Sequence, residues 1–67
     1  MTLTINGECQ SFAPAPETVA ELIKTLDLDE KPVLVEHNGT ALFPREFTKT
    51  ALTDLDKLEI IQIAAGG

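Results

Sequence analysis

The stretch that decides the fold is residues 57–67, Lys57-Leu58-Glu59-Ile60-Ile61-Gln62-Ile63-Ala64-Ala65-Gly66-Gly67. Residues 57–64 alternate in the manner of a β-strand, with Leu58 and Ile60 on one face and Ile61 and Ile63 on the other. Apolar residues on both faces are typical of a central strand. We expect a helix to cover one face, while the other is either partly open to a partner or covered by loops.

Four small residues, Ala64, Ala65, Gly66 and Gly67, follow this strand. Glycine loses more conformational freedom on folding than any other residue, so folding does not explain a pair of glycines after a strand. We predict that residues 64–67 form a slender, flexible tail and that residues 1–63 form one domain.

The composition limits what the domain can do. A chain of 67 residues with three Phe, no Trp and no Tyr has one small aliphatic core, and little interior is left for an enclosed active site. A single cysteine, Cys9, excludes an internal disulfide, and one cysteine with one histidine cannot form a tetrahedral zinc site. We therefore expect a protein that is not an enzyme, with no catalytic residues, no metal site and no bound cofactor.

The charge narrows the choice of partners. The net charge of −6 repels nucleic acid and anionic membrane surfaces. An acidic surface fits a basic protein partner or serves solubility alone. The chain opens on the alternating residues 1–5 without a basic, apolar leader, so we expect a cytoplasmic protein that is a monomer when free.

Two Asn-Gly dipeptides predict two hairpins, because both residues readily adopt the positive φ of a type I′ turn. Asn6-Gly7 joins strands over residues 2–5 and 8–12, and Asn38-Gly39 joins a strand that begins at Val33 to a short strand over residues 40–42. A brief helical turn over residues 45–50 and a turn over residues 53–56 lead to the last strand.

One helix is predicted between the hairpins. Residues 18–21 fit a capping box, in which Thr18 covers the backbone N–H of Glu21 and the Glu21 side chain reaches back to the start of the helix. The apolar residues that follow recur at helical spacing and form one stripe, which comprises Val19, Leu22, Ile23 and Leu26. This stripe requires a flat apolar surface, so we expect the helix to pack on the sheet.

Cys9 and His37 are the two remaining candidates for chemistry. The Cys9 thiol is either a small core side chain or an exposed reactive group, and we favour the structural interpretation because no nearby cation stabilises a thiolate. His37 has no carboxylate or cysteine at ligand spacing, so we interpret it as a solvated residue at a strand end.

The order strand, strand, helix, strand, strand, short helix, strand is that of the α+β β-grasp, or ubiquitin-like, fold. With the motifs Ile5-Asn6-Gly7-Glu8, Thr18-Val19, Glu21-Leu22-Ile23, Asn38-Gly39, Pro44-Arg45-Glu46, Leu58-Glu59-Ile60 and Gly66-Gly67, the chain resembles the ThiS family of sulfur carrier proteins. The resemblance implies a mixed sheet of about five strands on one main helix, with the last strand parallel to the first. Leu55-Asp56 replaces the Gly-Asp turn common in the family, so a positive-φ turn there would be strained.

The resemblance also implies a function in thiamin biosynthesis. A ThiF-like adenylating enzyme, using ATP and magnesium, would activate the Gly67 carboxylate. A cysteine desulfurase system would supply sulfur to form a thiocarboxylate, and thiazole synthase would receive that sulfur. Residues 64–67 would thread into the partner active sites, while Glu59, Ile61 and Ile63 would dock the domain.

Other functions fit the same residues. The small subunit of molybdopterin synthase shares this fold and ending, and a ubiquitin-like modifier would join Gly67 to a lysine. A non-catalytic interaction domain, in which the glycine pair is incidental, belongs to a different class. The chemical group formed at Gly67 distinguishes a sulfur carrier, which forms a thiocarboxylate, from a modifier, which forms an isopeptide bond.

Overall fold

The structure is a computed structural model and describes residues 1–64. Within these residues five strands and one α-helix follow one another, in chain order β1 (Thr2–Ile5), β2 (Glu8–Ser11), α1 (Val19–Thr25), β3 (Val33–His37), β4 (Thr40–Leu42) and β5 (Lys57–Gln62). A 3₁₀ turn, Pro44–Glu46, lies between β4 and β5. The predicted order of elements is confirmed, although β2 and β5 each end before the expected residue and the 3₁₀ turn is shorter than the predicted turn.

The five strands form one sheet in the order β2-β1-β5-β3-β4. Strand β5 therefore lies at the centre, where it runs parallel to β1 and antiparallel to β3. The two hairpins pair β1 with β2 and β3 with β4. The central position predicted from the two apolar faces of β5 is confirmed.

Helix α1 covers one face of this sheet. The Thr18 Oγ1 accepts a hydrogen bond of 3.2 Å from the backbone N–H of Glu21, which satisfies a donor at the start of the helix. The apolar stripe of α1 meets the inward side chains of β1, β3 and β5, and the resulting core contains Leu3, Ile5, Val19, Leu22, Ile23, Val33, Val35, Leu52, Leu58 and Ile60.

The two asparagines of the hairpin turns also hold β5. Both adopt positive φ, 51° at Asn6 and 48° at Asn38, as a type I′ turn requires. The Asn6 side chain accepts from the Ile60 N–H (2.8 Å) and donates to the Ile60 carbonyl (3.0 Å), while Asn38 Oδ1 accepts from the Lys57 N–H (2.9 Å). The two side-chain amides thus bond backbone groups of β5 at positions where no neighbouring strand provides a backbone partner.

Asp56 fixes the turn that leads into β5. Its buried carboxylate accepts hydrogen bonds from the Asn38 side chain (3.0 Å) and from the backbone N–H and hydroxyl of Thr53 (both 2.9 Å). His37 Nε2 lies 2.8 Å from Asp56 Oδ2. Burial acts to raise the pKa of Asp56, but the hydrogen bonds from His37, Asn38 and Thr53 outweigh it and hold that pKa well below its usual range.

The interpretation of His37 as a solvated residue is therefore wrong. Its side chain is only 18% exposed and, because the Asp56 carboxylate is ionised, Nε2 is the donor in their hydrogen bond. The partner lies 19 residues away in the sequence, outside the spacing of a local motif. The pair joins the second hairpin to the turn before β5.

The interpretation of Cys9 as a core side chain is also wrong. All four residues of β2 are exposed, because β2 is an edge strand. The Cys9 sulfur lies 3.7 Å from Thr4 Oγ1 on the neighbouring strand. The thiol thus belongs to the surface of the sheet.

Leu55 adopts the turn conformation that glycine favours. Its φ is 71° and its side chain is 71% exposed, so the strained positive-φ turn considered from the sequence is present. Its N–H donates to the Thr2 carbonyl (2.7 Å), and the Thr2 N–H donates to Asp54 Oδ1 (2.7 Å). These bonds tie the turn to the start of β1 and maintain the conformation in spite of the side chain.

We expect Leu22→Ala to lower the free energy of unfolding by roughly 2 to 5 kcal/mol, because the fully buried side chain leaves a cavity between α1 and the sheet. The matched control is Leu34→Ala, which removes the same atoms from a side chain that is 58% exposed. Urea denaturation measures both effects. Equal losses from the two variants would contradict the assignment of the core.

We expect Asp56→Asn to lower the free energy of unfolding at neutral pH by roughly 1.5 to 3 kcal/mol, since it removes a charged acceptor from four hydrogen bonds. The folded pKa of Asp56 lies below the ordinary value of 3.8. Its stabilisation is therefore complete above that value and is lost as the pH falls towards the folded pKa.

The difference in free energy of unfolding between the wild type and Asp56→Asn should consequently decrease as the pH falls. Urea denaturation at a series of pH values measures it, with Asp29→Asn as the control because Asp29 is an exposed loop residue. A difference that stays constant from about pH 7 to about pH 3 would show that the charge of Asp56 does not stabilise the fold.

Candidate partner-docking face

The face of the sheet opposite α1 is open along β5. Side chains alternate along a strand, so Glu59 and Ile61 point away from the helix, and Ile63 follows the last residue of β5. Ile61 is 57% exposed and Ile63 is 46% exposed, whereas Leu58 and Ile60 on the other face are buried. Of the two possibilities left by the sequence, the structure has the open face.

Leu34 extends this apolar surface onto the neighbouring strand. It lies directly opposite Ile61 in the antiparallel pairing of β3 with β5, and its side chain is 58% exposed. We name the surface formed by Leu34, Glu59, Ile61 and Ile63 the open face. Leu34 was not among the residues predicted to dock a partner, although the middle residue of Val33-Leu34-Val35 points opposite to its two buried neighbours.

An apolar groove begins where the open face ends. It lies between the start of β3, the end of β4 and the helix, and its volume is about 730 Å³. Ile63 and Leu34 line the groove together with Phe43 and Phe47. The Phe43 side chain is exposed, and the Arg45 guanidinium lies 4.7 Å from the centre of its ring. The apolar surface is thus continuous around this edge of the sheet.

The chain leaves the sheet beside that surface. The Ile63 N–H donates to the Pro32 carbonyl at 2.9 Å, which fixes the direction of the chain after β5. Ala64 is the last described residue and is exposed. Ala65, Gly66 and Gly67, which complete the predicted tail and include the predicted site of modification, lie outside the described residues. The structure therefore places Glu59 and Ile61 on the open side of β5, and Ile63 and Ala64 at the end of the described chain, beyond that strand.

The titratable side chains of residues 1–64 do not form a cluster that could bind a metal ion. Asp56 and His37 bind each other at the start of β5. Nowhere in this range do three or more His, Cys, Asp or Glu side chains lie close enough to share a metal ion. None of its helices combines the length and apolar character that crossing a membrane requires.

The fold is a mixed five-stranded sheet packed on one helix, and its central strand β5 runs parallel to β1. The chain leaves β5 beside the open face. These features define a ubiquitin-like protein of the β-grasp class. The chain belongs to the ThiS family, whose model matches residues 3–67. This is a family of sulfur carrier proteins of thiamin biosynthesis, and the resemblance found in the sequence is confirmed.

Three proteins illustrate the similarity. The crystal structure of the thiamine biosynthesis protein ThiS from Geobacter metallireducens superposes with a TM-score of 0.82 at 34% identity, over the full length of both chains. The sulfur carrier protein ThiS of Bacillus subtilis is 28% identical over 65 residues, 97% of this chain and 98% of that protein. A thiazole synthase of Paramagnetospirillum magneticum is 39% identical over 67 residues, and the chain spans only 20% of its length.

We expect Ile61→Asp to change the free energy of unfolding by no more than about 1 kcal/mol, because the new charge remains in water. The neighbouring change Ile60→Asp should cost roughly 4 kcal/mol or more, since it buries an unpaired charge in the core. Thermal melts followed by circular dichroism compare the two. Unfolding by both variants would show that Ile61 belongs to the core and that the open face is not free.

Proposed function

We propose that the chain carries sulfur on the carboxylate of Gly67. The single observation that carries the proposal is the family match, which runs through Gly67. The open face beside the point where the chain leaves β5 supports it, because a carrier must dock and present its tail at the same end. The location of this activity would be the cytoplasm.

The chemistry starts from an unreactive group. A carboxylate is ionised at neutral pH and is a poor electrophile, so one oxygen must first become part of a leaving group. In the proposed reaction the Gly67 carboxylate attacks the α-phosphate of ATP, which forms an acyl-adenylate and releases pyrophosphate. The terminal sulfur of a protein persulfide then attacks the acyl carbon and displaces AMP. A second thiol then attacks the cysteine sulfur of the resulting acyl disulfide, forms a disulfide with that cysteine and releases the thiocarboxylate.

The proposal divides the work between the chain and its partners. A ThiF-like adenylating enzyme supplies the ATP site, the magnesium and the catalytic groups, and a cysteine desulfurase system supplies the persulfide. The chain supplies reach, because four extended residues after Ile63 span roughly 13 Å. Side chains no larger than a methyl group at residues 64–67 allow this segment to enter a narrow channel.

Thiazole synthase is the proposed acceptor of the sulfur. The similarity of this chain to one segment of a thiazole synthase supports that assignment. The open face, through Glu59, Ile61 and Ile63 with the added Leu34, would dock the domain on the adenylating enzyme. Contiguous exposed apolar side chains mark interaction sites, because covering them with a partner removes apolar surface from water.

We expect the chain to support ATP–pyrophosphate exchange by the adenylating enzyme of its own organism and, with a sulfur source, to gain mass by replacement of one oxygen by sulfur. Removal of Gly67 should abolish both. The buried core lies within residues 3–60, so the shortened chain should melt at the same temperature as the wild type. Intact-mass spectrometry and the exchange assay measure the outcome.

Two variants serve as controls. Cys9→Ser should still form the thiocarboxylate, because the sulfur is carried on the Gly67 carboxylate and not on the Cys9 thiol. Ile61→Asp should slow exchange at low carrier concentration and recover as the concentration rises, whereas the chain without Gly67 should stay inactive at every concentration.

Other products would contradict the proposal. Full exchange by the chain without Gly67 would remove the tail from the reaction. An isopeptide bond to lysines of other proteins would identify a modifier, and sulfur transfer to a molybdopterin precursor would identify the molybdopterin pathway. Partner binding that survives deletion of residues 64–67, without any exchange, would identify an interaction domain.

A further inference from the structure

A pair of like charges lies next to the apolar side chains of the open face. Glu36 on β3 lies directly opposite Glu59 on β5, and both residues are exposed. Residues that face each other in an antiparallel pair present their side chains on the same side of the sheet, and two carboxylates in these positions repel each other. The pair therefore destabilises the free domain.

Neither carboxylate forms an ion pair within residues 1–64. The ion pair within 4.0 Å in residues 1–64 joins His37 to Asp56, and no lysine, arginine or histidine nitrogen lies that close to Glu36 or Glu59. Lys57 points to the same side of the sheet two residues before Glu59, but it forms no ion pair at that distance. The two carboxylates are thus available to a cation from outside.

The acidic pair lies beside an apolar pair. Leu34 and Ile61 face each other two residues further along the same strands, with 58% and 57% of their surfaces exposed. The surface therefore combines two exposed aliphatic side chains with two carboxylates that form no ion pair within 4.0 Å in residues 1–64. A complementary protein surface has an apolar patch next to a positive charge.

We propose that this surface receives an arginine of the adenylating partner between Glu36 and Glu59, while apolar side chains of the same partner cover Leu34 and Ile61. The inference rests on the proposed function, and it adds Glu36 as a residue that determines which partner binds. Arginine fits better than lysine because the planar guanidinium has five N–H donors and can serve two carboxylates at once.

The repulsion gives the proposal a test with two opposing readouts. Neutralising either carboxylate removes repulsion from the free domain and removes a contact from the complex. The variants are Glu36→Gln and Glu59→Gln. The matched control is Glu17→Gln, which changes the net charge equally at an exposed residue before α1. The melting temperature is measured on the free carrier, and the dissociation constant is measured with the purified adenylating enzyme at several salt concentrations.

We expect Glu36→Gln and Glu59→Gln each to weaken binding by about tenfold relative to Glu17→Gln, with a smaller dependence of affinity on salt. The melting temperature of both variants should equal or exceed that of the wild type. A structural role for the pair predicts the opposite, a lower melting temperature and binding that is unchanged once the protein is folded.

Each other outcome overturns the inference in a distinguishable way. Equal weakening by all three variants would show that only net charge matters. Wild-type affinity in both variants would show that the pair does not contact the partner, and the proposed function would stand. Absence of both binding and pyrophosphate exchange with the wild-type carrier would overturn the proposed function, and this inference with it.

Discussion

The position of strand β5 depends on side-chain amides rather than on backbone pairing alone. Strand β1 pairs with β5 at only two positions, where Thr4 lies opposite Lys57 and Ile5 lies opposite Leu58. Strand β5 therefore continues beyond the end of β1. Asn6 bonds both polar groups of the Ile60 backbone and so extends the ladder. Asn38 and Asp56 hold the other end of β5. The two hairpin turns consequently fix the strand that presents the open face and from which the chain leaves the sheet.

The small size of the domain explains why one face of the sheet is free. A chain of this length buries about 60% of the surface of its unfolded state, and α1 with its flanking segments covers one face. The core takes Leu58 and Ile60 from β5 and leaves Ile61 and Ile63 outside. The small size of the domain therefore limits its stability and also leaves an apolar surface for a partner. That surface lies next to the point where the chain leaves β5.

The sequence predicts the features that depend on local rules. Asn6-Gly7 and Asn38-Gly39 specify their turns because few other residue pairs tolerate two positive φ angles. Together with the apolar pattern of α1 and the two apolar faces of β5, these turns predict the order of elements that is characteristic of the fold. Features that depend on which strands become neighbours were missed. Cys9 is exposed because β2 is an edge strand, and His37 meets Asp56 only after β3 and β5 have paired.

Asparagine in the turns has a consequence for the chemical ageing of the protein. Asparagine is a thermolabile residue, and a following glycine has no side chain to hinder attack of its backbone nitrogen on the asparagine side-chain carbonyl. Hydrolysis at Asn6 would leave a carboxylate, which has no N–H for the Ile60 carbonyl and would set two oxygens against each other. Loss of this amide would thus remove a hydrogen bond that anchors the central strand.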